Sequence, residues 1–223
     1  MAVNWFPLWL SLRVAALATL ISIVLGLWIA YLLANRKFRG KELLDAVVTL
    51  PLVLPPTVLG YYLLVLLGAS SPLGHLYESV LGAPLVFTWQ AAVVASTLHA
   101  IPLLTKSARA AFETAGASYK KAAHSLGASD WRMFWRVTLP LSRCAVAAAS
   151  LTAFARALGD FGVTLMIAGN LPGKTQTAAV GIYDALQRGD TRAARLLVLV
   201  LSAVMIAIVY AVSRLEHRPV AEC

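Results

Sequence analysis

Residues 14–34 read VAALATLISIVLGLWIAYLLA, and no charged side chain interrupts them between Arg13 and Asn35. About 20 consecutive apolar residues in a helix cross the hydrocarbon core of a bilayer. A backbone in lipid has no water to bond, so such a stretch closes its hydrogen bonds on itself as a helix. Residues 196–213, LLVLVLSAVMIAIVYAVS, repeat the pattern between Arg195 and Arg214. The fold class follows as all-α, a polytopic membrane protein.

The rest of the chain agrees with those two stretches. Of 223 residues, 60% are hydrophobic and 13% charged, and mean hydropathy is +0.76, whereas soluble domains carry about a quarter charged residues. Residues 46–74 and 79–105 hold no Asp, Glu, Lys or Arg, and 144–155 form a shorter apolar run. Five crossings are expected, in a single domain over residues 1–223. Pro51, Pro55 and Pro56 predict a kinked or late-starting second helix inside a bundle. The first stretch lacks a basic leader, outruns a signal peptide and is kept as a true span.

Charge placement gives an orientation. Thirteen of the nineteen basic residues fall in the loops after the first and third spans and in the tail. Basic loops face the cytoplasm, so the N-terminus is expected outside and the C-terminus inside. Lys174, Arg188, Arg192 and Arg195 run against this rule, in a segment expected outside. The net charge of +9 thus reads as topology rather than nucleic-acid binding. Lipid is the expected surrounding. Cys144 and Cys223 have no metal-ligand spacing, and no cofactor motif is present. His75, His99, His124 and His217 are scattered, and neither HExxH nor GxSxG occurs, which argues against an enzyme. Ala168 to Thr175 mimics a phosphate loop but lacks the strand and helix that make one work.

The longest polar stretch expected inside, residues 113–139, reads as two short helices, Tyr119 to Leu126 closed by Gly127, then a second capped by Ser129. It is either a connector or a rigid knob for a partner. Further on, FARALGDFGVTLMIAGNLPGKTQT (154–177) brings Arg156 and Asp160 to membrane depth, four residues apart on one helical face. Gly159 and Gly162 flank Asp160 and predict a break. The two charges either line a pathway or pair at the outer interface to fix a bend.

Both stretches resemble the permease subunits of ABC importers. In the loop, Lys121, Ala122, Ala123, Gly127, Val137, Leu139 and Pro140 follow the spacing of that family's signature, with Lys121 where the family has Glu. The phrase around Asp160 is similar to the molybdate and sulfate branches, with Asp160 replacing a glutamate. PLVLPPTVLGYYLL and FTWQAAVVAS look like the same group, and IYDALQRGD and the compact length lie nearer the molybdate side. The resemblance implies a type I ABC-importer permease fold in a bacterial inner membrane, importing molybdate, with tungstate or sulfate as alternatives. It implies ATP hydrolysis in a separate ATPase subunit, an external oxyanion-binding protein and a permease homodimer. It implies ATPase coupling through Tyr119, Lys121, Ala122, Ala123, Leu126, Gly127 and Ala128, and a translocation pathway at Arg156, Gly159, Asp160, Gly162 and Asn170.

Overall fold

A computed structural model describes residues 4–125 and 129–216, with the side chains of 116–125, Asp130 and Glu216 outside the description. No strand occurs among the described residues. The helices, in chain order, are α1 (Phe6–Asn35), α2 (Lys41–Val53), α3 (Pro56–Leu67), α4 (Pro72–Leu81), α5 (Trp89–Ser125), α6 (Asp130–Met133), α7 (Leu139–Leu141), α8 (Arg143–Leu158), α9 (Gly162–Ala168), α10 (Ala178–Gln187) and α11 (Thr191–Glu216). A π-helical turn, Phe134–Thr138, joins α6 to α7. Pro140 removes the amide that would close on Arg136, which fits a ladder that widens there.

Among the described residues, three helices are long and apolar enough to cross a membrane: Phe6–Asn35, Trp89–Ala115 and Thr191–Leu215. Two bent pairs raise the number to five if each counts as one span. Lys41–Val53 and Pro56–Leu67 meet at 113°, and Trp131–Leu141 and Arg143–Leu158 at 72°. The expected second span is therefore an elbow. Pro55 and Pro56 sit at its corner, because proline disfavours helical geometry in the residue before it. The third span starts at Trp89 rather than residue 79, since Pro72–Leu81 is a separate helix closed by Gly82 at φ 72°. Ser71 starts that helix, its hydroxyl accepting from the Gly74 amide at 2.8 Å.

Small residues decide the central packing. α1 and α5 run parallel, in register from Arg13 on Trp89 through Ser22 and Thr97 to Gly26 beside Leu104 and Thr105. Ala15, Ala18 and Ala30 of α1 and Ala91, Ala92, Ala95, Ala100 and Ala108 of α5 are buried. In lipid no hydrophobic force presses helices together, so close backbone approach through small side chains takes over. A Cβ on Gly26 would lie 2.8 Å from Leu104 Cδ2. α8 returns antiparallel to α5, with Ala149 and Ala153 packed on Ala100 and Leu104.

One expectation fails outright. Tyr119 to Leu126 was expected as a separate short helix, but α5 continues unbroken from the membrane to Ser125, 37 residues in all. Apart from Gly116, no strong helix breaker lies between Arg109 and Ser125, so propagation costs less than a new nucleus. Tyr119, Lys121, Ala122 and Ala123 lie on that helical backbone, while Leu126, Gly127 and Ala128 lie outside the described residues. Ser129 does start the second element: its hydroxyl accepts from the Arg132 amide at 3.4 Å.

Candidate functional site

The helix ending at Leu158 and the one starting at Gly162 leave Gly159, Asp160 and Phe161 as a non-helical corner. Gly162 lets the corner close, because a Cβ there would come 2.6 Å from Pro56 Cβ. One turn later, a Cβ on Gly60 would come 2.6 Å from Met166 Cβ. The elbow helix α3 thus lies flush along α9, the two running parallel. Gly159 is exposed beside Met205 of α11. The break therefore sits where α3, α5, α8, α9 and α11 converge.

Asp160 is 3% exposed, and its carboxylate is enclosed by three side chains. His99 of α5, 2% exposed, places Nδ1 2.8 Å from Oδ1. With Asp160 as a carboxylate, which only accepts, Nδ1 is the ring nitrogen placed to donate. The Thr164 hydroxyl, one turn into α9, donates to Oδ2. Arg156 Nη1 lies 3.5 Å from Oδ1, longer than a charge-assisted hydrogen bond, and the Arg156 side chain is 34% exposed. Both carboxylate oxygens are turned inward and used, while the guanidinium keeps open surface. The corner thus presents a cation and hides its anion.

Of the residues predicted for the pathway, Arg156, Gly159, Asp160 and Gly162 come together here. Asn170 does not join them. Its Nδ2 donates to Asp184 Oδ1 at 3.1 Å, and Gln176 Nε2 reaches both Asn170 Oδ1 at 2.8 Å and Asp184 Oδ2 at 3.0 Å. Arg188 closes the set on Asp184. The segment 169–177 is therefore a braced loop: Gly169 takes φ 73°, and Ser11 of α1 accepts from the Ala178 amide at 2.7 Å in place of a local cap. Lys174 at its tip is exposed, as are Arg192 and Arg195 at the start of α11.

Sequence reasoning missed His99. It lies 61 residues from Asp160 in an otherwise apolar helix, and no local spacing links the two. Thr164, four residues after Asp160, carried a readable signal, since i and i+4 share a face.

Residues 22–218 match the family described as "Binding-protein-dependent transport system inner membrane component". The chain belongs to this family of transport permeases. The permease is 39% identical over 207 residues to the molybdenum transport system permease protein ModB of Escherichia coli K12, covering 92% of this chain and 90% of that one. It is 43% identical over 178 residues to ModB of Azotobacter vinelandii, covering 80% and 79%. A probable sulfate transport permease, cysT of Chlorokybus atmophyticus, is 32% identical over 206 residues, covering 92% and 72%. Among solved structures, a bacterial alginate ABC transporter in complex with its periplasmic protein matches with a TM-score of 0.75 at 15% identity, over 98% of the permease and 80% of that chain. An inward-facing MetNI methionine ABC transporter also matches at 0.75, with 17% identity over 96% and 97%. The permease fold is that of the type I ABC importers, all-helical and multi-pass.

Proposed function

We propose that this permease forms the translocation pathway of an ATP-driven importer for molybdate. The observation that carries the reading is the identity of about 40% to molybdenum transport permeases, extending over nine-tenths of both chains in the Escherichia coli case. The geometry agrees with an anionic cargo. A tetrahedral oxyanion is bound best by a planar fork of N–H donors, which Arg156 keeps partly open. The same oxyanion is repelled by a bare carboxylate, which Asp160 is not. Sulfate shares the shape and charge, and the sulfate permease relative gives it second place.

ATP hydrolysis belongs to a separate ATPase subunit, which grips the 113–139 loop at Tyr119, Lys121, Ala122, Ala123, Leu126, Gly127 and Ala128. Two copies of the permease enclose the path, and an external binding protein delivers the anion. The N-terminus lies outside and the C-terminus in the cytoplasm. The loop has no sequence for an engine of its own, so binding of ATP elsewhere shifts the two halves by differential contacts.

The test is uptake of labelled molybdate into vesicles holding the permease, its ATPase and its binding protein. Uptake that requires all three and is competed by excess molybdate supports the reading. Uptake competed equally by sulfate moves the assignment to the sulfate branch, and no uptake of either anion overturns it. A cysteine at Ser125 that is labelled from outside intact cells overturns the orientation.

A further inference from the structure

The inner half of α1, at the end of the bundle that carries the 113–139 loop, is separated from the π-helical segment by a groove of about 510 Å³. Ile23, Trp28 and Tyr31 form one wall and Trp131, Trp135 and Leu139 the other. Its surface is almost wholly apolar. Trp28, Trp131 and Trp135 are 61%, 56% and 51% exposed, although tryptophan is the side chain with most to gain from cover. Trp131 stands edge-on to both Tyr31 and Trp135, each at 5.6 Å between ring centres. The groove therefore has a built shape rather than being a smooth helix face.

Two further observations define what fits it. Trp131–Leu141 meets α8 at 72°, so with α8 crossing the bilayer this segment lies close to the membrane plane. It carries Arg132 and Arg136, both exposed and one helical turn apart, and neither has an ion pair among the described residues. Asp130 is the single acidic residue between 129 and 143, against Arg132, Arg136 and Arg143. Arg36, Lys37 and Arg39, all exposed, follow directly after the end of α1, with Glu42 the nearest exposed carboxylate in sequence. The second observation is the Tyr31 hydroxyl, buried with no hydrogen-bond partner among the described residues. A buried hydroxyl without a partner is costly and rare.

We propose that this groove is a binding site for an anionic phospholipid, with one acyl chain between Trp28 and Trp135 and the phosphate against Arg132 and Arg136. An acyl chain matches the apolarity of the slot, and the exposed arginine pair matches a phosphate in sign. The glycerol ester places an acceptor at the depth of Tyr31, whose hydroxyl it reaches when the exposed Trp131 ring swings aside. A surface-lying element with tryptophan on one side and arginine on the other is built for the headgroup boundary. The lipid would sit on the part of the 113–139 loop that follows Gly127, from Trp131 to Leu139.

The test uses the purified permease in nanodiscs of phosphatidylcholine containing a small fraction of phosphatidylglycerol with the same acyl chains. Native mass spectrometry reads which lipid stays bound. Retention of phosphatidylglycerol about tenfold above its share is expected, falling to about twofold in Arg132→Gln/Arg136→Gln and returning in Arg132→Lys/Arg136→Lys. Tyr31→Phe lowers retention without changing the headgroup preference. Brominated acyl chains quench wild-type tryptophan emission more than that of Trp131→Phe/Trp135→Phe. Equal retention of the two lipids, or an unchanged preference in the glutamine pair, overturns the proposal. So does efficient disulfide formation between Trp135→Cys copies, which would put a second copy of the chain in the groove.

Discussion

Removing the His99 ring tests whether the break in the fourth span is held by a buried ion contact. Asp160 is 3% exposed, so water cannot replace a lost partner. Of its three contacts, only His99 and Thr164 are at hydrogen-bond distance, and Arg156 is at 3.5 Å. Breaking a buried pair by deleting one member costs about 3–5 kcal/mol. Thr164 remains, and the partly exposed Arg156 can close on the freed oxygen, so His99→Ala is expected to cost about 2–4 kcal/mol. Asp160→Asn removes the charge but keeps an acceptor for the His99 donor and is expected to cost less, about 1–2 kcal/mol. The double variant loses both the charge and the need to compensate it, so the cycle should show a coupling of about 2 kcal/mol or more. Reversible unfolding of the purified permease in mixed micelles measures each corner of the cycle. A coupling below about 0.5 kcal/mol, the value of an exposed pair, refutes the reasoning.

Other consequences are independent of that pair. Gly60→Ala places its Cβ 2.6 Å from Met166 Cβ and is expected to cost about 1–3 kcal/mol. Met166→Ala added to it should restore part of the loss in the same unfolding measurement. Asp184→Ala takes an acceptor from both Asn170 and Gln176, leaving them only their bond to each other, and protease cleavage within 169–177 should rise in step with a loss of about 1–3 kcal/mol. Gly127→Val is expected to abolish ATP-driven uptake while leaving the permease inserted, because a bulky β-branched residue disfavours the left-handed turn predicted there. Normal uptake in that variant removes the coupling role from the loop.

His99 shows where sequence reading stops. As a lone ionisable group in VASTLHAIPLL (94–104) it carries no label of its own, and its meaning comes from a residue 61 positions away. Asp160 and Arg156 were legible because two charges inside an apolar run are costly wherever the run folds. Asn170 was legible as part of a motif, but its hydrogen-bond partners were not. Its partners are Gln176 of the same loop and Asp184 of α10, not the residues of the corner.

The apolar lengths, the positions of proline and glycine and the spacing of the basic residues determined an all-helical membrane bundle with a broken fourth span. Those are properties of the backbone in a solvent without hydrogen bonds, and they act locally along the chain. The flush seating of α3 on α9 and the enclosure of Asp160 by His99 were decided by tertiary structure. Each depends on which helices come close enough to touch. In this chain glycine and alanine set those contacts from positions far apart in sequence.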